Sequence, residues 1–65
     1  MVFMEESSQQ SRLRLSKRIV EVADRLHRLA EEAARLRMSP TVTTLNLMEN
    51  ELHLEVSRIE KEARS

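Results

Sequence analysis

From Leu15 onward, apolar residues recur at Leu15, Ile19, Val22, Leu26, Leu29, Ala33 and Leu36, with spacings that alternate between four and three. Side chains return to one helical face at that interval, so the run predicts an amphipathic helix with a heptad seam. Ala23 and Ala30 widen the stripe to a neighbouring position, as in a bundle helix with more than one neighbour. Ser7, Ser8 and Ser11 each offer a side-chain oxygen to cap the start, which places the first helix at about 10–38 behind a flexible tail over 1–9. Pro40 sets the end, because it disfavours helical geometry at Ser39 and has no amide to continue the ladder. Ser39 is then expected to cap a second helix over about 40–63, with Pro40 at its first position.

The second stripe is Val42, Leu45, Met48, Leu52, Val56, Ile59 and Ala63. Folding the chain at Ser39-Pro40 and pairing residues whose numbers sum to 78 sets Leu36 against Val42, Ala33 against Leu45 and Ala30 against Met48. The same rule continues through Leu26 with Leu52, Val22 with Val56, Ile19 with Ile59 and Leu15 with Ala63, seven layers without a polar intrusion. The expected fold is therefore all-α: one domain over 10–65, an antiparallel two-helix hairpin that completes a four-helix bundle or coiled-coil assembly by oligomerisation. The competing plan is one long helix kinked at Pro40 that dimerises as a rod, against which stands the cost of about 3 kcal/mol for a proline inside a helix.

Composition explains why assembly enters the picture. A chain of 65 residues buries only about 60% of the surface its unfolded form exposes, which makes a marginal core. The usual reinforcements are missing, since the sequence has no cysteine for a disulfide or a zinc site and only two histidines. With no glycine, one proline, one aromatic residue and 34% charged residues, the composition is that of helix. The apolar run Met1 to Met4 is followed by Glu5 and Glu6, which is neither the basic region nor the long apolar stretch of a signal peptide. No run approaches the roughly 18 apolar residues of a membrane span, so the expected setting is intracellular and soluble, cytoplasmic or nuclear. Phe3 either anchors those first residues over one end of an assembly or stays disordered with them.

Eleven basic and eleven acidic residues leave zero net charge and no long-range field toward nucleic acid or an anionic membrane. Residues 11–38 hold eight basic and four acidic side chains, whereas 39–65 hold three and five. Arg12, Arg14, Lys17 and Arg18 form a compact basic cluster that is a candidate nucleic-acid contact. A solvated face explains the same charges more simply, through the acid-before-base pairs Glu21 with Arg25, Asp24 with Arg28 and Glu31 with Arg35, and through Arg18 facing Glu60 across the hairpin. No aromatic residue interleaves the cations to stack on bases.

His27 lies in Asp24-x-x-His27-x-x-x-Glu31 and His53 in Glu49-x-x-x-His53, so each has carboxylates on its own helical face. Carboxylate-bridged metal bundles project such ligands into the core, whereas both histidines lie beside the seam, as boundary residues. No metal, no cofactor and no enzymatic activity are expected, because a two-helix hairpin without glycine loops or aromatic walls offers no water-excluding pocket. The informative residues are apolar ones outside the seam. Leu47 and Leu54 line the far face of the second helix, and Leu13 and Val20 form a similar line on the first. On a domain this small they read as a docking surface for a second copy or a helical protein partner. In length and hairpin plan the chain also resembles the small dimeric RNA-binding bundles of the Rop type. That resemblance implies the alternative of an RNA- or DNA-binding regulator working through the basic end of the first helix.

Overall fold

A computed structural model describes the backbone of residues 2–64 and the side chains of residues 8–64. The chain is all-helical, with α1 (Val2–Arg35) and α2 (Ser39–Arg64) packed against each other as an antiparallel hairpin. α1 spans 34 residues without a glycine or proline to break it, and it continues back through 2–9, the stretch expected as a tail. Ser7, Ser8 and Ser11 thus lie within the helix rather than at its cap. The side chains of residues 1–7, Phe3 among them, and residue 65 lie outside the described residues.

α1 stops at Arg35, three residues before the expected end at Met38, and the reason is a specific cap. Arg37 turns into the left-handed region at φ 60°, its amide donates to the Ala34 carbonyl at 3.0 Å, and the Met38 amide donates to the Ala33 carbonyl at 2.9 Å. These are the two crossed bonds of a Schellman motif, which satisfies carbonyls that the helix end would otherwise leave unpaired. The left-handed position is usually glycine, and here it is filled by arginine. α2 then starts one residue ahead of expectation. The Val42 amide donates to the Met38 carbonyl at 3.0 Å, so Met38 occupies the cap position, Ser39 is the first helical residue and Pro40 the second. Pro40 is tolerated there because amides of the first turn have no intrahelical acceptor. The Thr44 hydroxyl donates back to the Pro40 carbonyl at 3.0 Å, so a poor helix former serves the first turn.

The helices meet on a face rotated from the expected one. The hydrophobic pattern predicts Leu15, Val22, Leu29 and Leu36 in the seam, yet these four are 51, 49, 50 and 65% exposed. The buried or half-buried line on α1 is instead Ser16, Ile19, Ala23, Leu26, Ala30 and Ala33, with Ala23 fully buried. On α2 the line is Val42, Leu45, Glu49, Leu52, Val56, Ile59 and Ala63, so Glu49 stands where Met48 is expected and Met48 is exposed. Of the sum-to-78 pairs, Ala33 with Leu45, Leu26 with Leu52 and Ile19 with Ile59 keep both members in the seam, whereas Leu36, Val22, Leu15 and Met48 drop out of theirs, and Glu49 ends the claim of seven layers without a polar intrusion. A side-chain hydrogen bond between the helices joins His27 to Glu49. The physical reason is the small side chains: Ser16, Ala23 and Ala30 let the helix axes approach closely, which a row of leucines prevents. Ser16 satisfies its hydroxyl locally, donating to the Leu13 carbonyl at 3.3 Å.

Among the described residues, no apolar side chain larger than valine is buried. The molecule is a narrow plate of 53 × 16 × 11 Å with a radius of gyration of 15.4 Å, against about 10.7 Å for a compact domain of this length. α1 also overhangs α2. Counting outward in equal steps from the His27–Glu49 contact, Arg64 at the end of α2 is level with Arg12, so residues 2–11 continue for roughly 15 Å with no helix opposite.

Candidate functional site

In heptad letters, the buried lines are a (Ser16, Ala23, Ala30) and d (Ile19, Leu26, Ala33) on α1. On α2 they are a (Val42, Glu49, Val56, Ala63) and d (Leu45, Leu52, Ile59). In an antiparallel pair the two g lines flank one side of the seam and the two e lines flank the other. The plate therefore has two unlike faces. On the g side, α1 presents Leu15, Val22, Leu29 and Leu36, and α2 contributes Met48, all about half exposed or more. The larger d residues Ile19, Leu26, Leu45, Leu52 and Ile59 lean toward this side and are only half-buried. α1 is charged at every b, c and f position from Arg14 to Arg35, so its apolar arc ends abruptly at solvated residues.

The e side carries Leu13 and Val20 toward one end and is otherwise small and polar. His27 Nδ1 lies 3.2 Å from Glu49 Oε1 across the seam, and His53 Nε2 lies 3.5 Å from Glu49 Oε2. The other ring nitrogen of His27 reaches Glu31 at 3.8 Å. Glu49, with its side chain 21% exposed, is thus the polar member of the seam and is held by one histidine from each helix. Both histidine side chains are more than half exposed. No group of three or more such side chains among the described residues is arranged to hold a metal ion.

The four residues expected to dock a partner are all exposed: Leu13 at 46%, Val20 at 42%, Leu47 at 61% and Leu54 at 58%. They do not form one surface. Leu13 and Val20 flank the e side of α1, while Leu47 and Leu54 occupy f positions on the far side of α2. The larger continuous surface is the Leu15, Val22, Leu29 and Leu36 line, which the hydrophobic pattern assigns to the interior. Two signals distinguish the two phases. A strict three-four repeat on α2 selects Glu49 over Met48, and the alanine row of α1 coincides with its buried residues.

Arg12, Arg14, Lys17 and Arg18 are exposed and make no ion pair with another described residue. Arg18 and Glu60 do not meet. Of the expected pairs along α1, Asp24 with Arg28 closes at 3.6 Å, Glu31 turns to His27 instead of Arg35, and Glu21 with Arg25 stays open. Exposed pairs of this kind contribute only a few tenths of a kcal/mol, so their side chains are governed mostly by solvation. On α2, Arg58 holds Glu55 at 2.6 Å and Glu62 at 3.3 Å. The hydrogen bond from Arg58, aided by its charge, holds the Glu55 carboxyl below its ordinary range. One surface depression is lined by Arg18, Glu21, Val22, Asp24, Arg25 and Arg28, a gap between solvated side chains of one helix. Among the described residues, no helix is long and apolar enough to cross a membrane. Comparison with known protein families, with curated proteins and with solved structures gives no match.

Proposed function

We propose that the chain is a non-enzymatic helical interaction module, which docks the apolar g side of its plate onto other helices to complete a bundle. One observation carries this reading. The chain exposes 5707 Å², whereas a compact monomer of its mass shows about 4,300 Å². The difference, roughly 1,400 Å², exceeds the roughly 800 Å² that one partner contributes to an interface of standard size. The most continuous apolar part of that surface is the Leu15 to Leu36 line. A row of four large apolar residues at heptad spacing is the pattern by which helices recognise helices.

Leu29→Asp tests the reading. On a free monomer a substitution at a half-exposed site changes stability by about 0.5 kcal/mol or less. In a docked face it leaves a carboxylate against apolar neighbours and costs more than about 2 kcal/mol. The expected outcome is loss of the assembled species in sedimentation together with a collapse of the thermal transition. An unchanged mass and melting curve would count against the module.

The open cations at Arg12, Arg14, Lys17 and Arg18 favour a second reading, a regulator that binds RNA or DNA. Its signature is a salt-dependent mobility shift that disappears when the four are neutralised. Binding that survives neutralisation excludes the cluster. Zero net charge and the absence of aromatic residues among the cations favour the interaction module.

A further inference from the structure

Resting on the interaction-module reading, we infer that the partner is a second copy of this chain, packed plate to plate so that α1 lies antiparallel against α1 of the second copy. The Leu15, Val22, Leu29 and Leu36 line is symmetric about its midpoint between Val22 and Leu29. A two-fold axis through that midpoint, perpendicular to the helices, sets Leu15 opposite the partner copy's Leu36 and Val22 opposite its Leu29. The contact is isologous, with every knob of one copy meeting the same patch on the other, which closes at two chains.

The other plate-to-plate arrangement runs its axis along the helices and lays α1 over α2 of the second copy. At the levels fixed by the His27–Glu49 contact, Val22 and Leu15 then meet the g residues Glu55 and Glu62. That juxtaposition desolvates carboxylates against leucine and valine, which disfavours it. In the α1-to-α1 arrangement the leucine line meets itself, and Glu55 and Glu62, each held by Arg58, lie instead over α2 of the second copy, level with its Met48 and Thr41. The rim of α1 matches in part. Arg18 comes level with Glu32 of the second copy, while Arg25 lies near the axis in both copies with Glu21 one turn back to offset it. The e side, with Glu49 held by His27 and His53, faces away from the contact.

The sequence has no cysteine, so introduced thiols report without interference. Val22→Cys and Leu29→Cys are prepared as separate full-length chains, oxidised alone and as a mixture, alongside sedimentation of the unmodified protein. The expected result is a mass of two chains of 7.6 kDa, with a mixed disulfide between the two variants and little product from either alone. Two copies of one variant would stand about 10 Å apart along the helices, beyond the roughly 7 Å limit for a disulfide. A two-chain mass with Val22→Cys linking to itself overturns the antiparallel contact while leaving the module reading in place. An unmodified chain that sediments as one copy and melts without cooperativity overturns the second-copy partner and leaves a different helical partner. A single copy that melts cooperatively overturns both.

Discussion

Arg37 is the residue on which the hairpin turns. A side chain with a Cβ in the left-handed region costs about 1–2 kcal/mol relative to right-handed geometry, and glycine avoids that cost. Arg37→Gly is expected to stabilise the fold by about 1 kcal/mol, offset in part by the greater freedom of glycine in the unfolded chain. At a fixed protein concentration this raises the melting temperature by several degrees. Glu49 is the second telling residue, a carboxylate in a line of apolar side chains. Glu49→Leu fills an a position with a larger apolar group and leaves His27 and His53 in water, so stability should rise by about 1 kcal/mol. A fall would mean that the two histidine contacts outweigh burial. Glu55 carries a pH-dependent contribution. Its carboxyl ionises below the ordinary range in the folded chain, so the stabilisation is present above that range and fades as pH falls through the lowered value. Arg58→Ala should return the Glu55 midpoint toward the ordinary carboxylate value in a carbon-detected titration.

At the scale of the elements, the seam is a row of alanines facing a row of larger residues. Ala23→Leu, at a site with no exposure, is expected to force the helices apart and destabilise the hairpin by about 1–3 kcal/mol. Leu36→Ala, at a site 65% exposed, should change the isolated hairpin by no more than about 0.5 kcal/mol. Thermal melts of the pair at a protein concentration low enough to keep the chains apart distinguish the observed seam from the one the leucines predict. Two helices, their antiparallel arrangement and the place of the turn are legible in the sequence, because heptad spacing on both sides of Pro40 leaves little choice. The phase is not. Leucine is the more hydrophobic residue, so pattern reading places it inside, but closeness of approach is decided by size, and Ser16, Ala23 and Ala30 win the interior by being small. The boundary near Arg35 is hidden for a related reason. Its stop is a backbone cap built on an arginine, with no glycine to announce it.

For the whole molecule, the error of phase is also what conceals the candidate site. Placing Leu15, Val22, Leu29 and Leu36 inside leaves only Leu13, Val20, Leu47 and Leu54 for a partner, two pairs that lie on the e side and on the far edge of the plate. Rotating α1 to its observed face exchanges a scattered set for a single line some 30 Å long. The overhang of α1 has a kinetic consequence. Amides opposite α2, from Ala23 to Ala33, are shielded by the seam and open only when the helices part. Those from Val2 to Ser11 have only their own helix to hold them and open by fraying. In deuterium oxide the chain should therefore label as a gradient, rapidly at its first turns and most slowly beside the alanines. If the leucine face is covered in solution, the slow zone should widen to the amides of Leu15, Val22, Leu29 and Leu36, and the rate at each of them should depend on how much protein is in the tube.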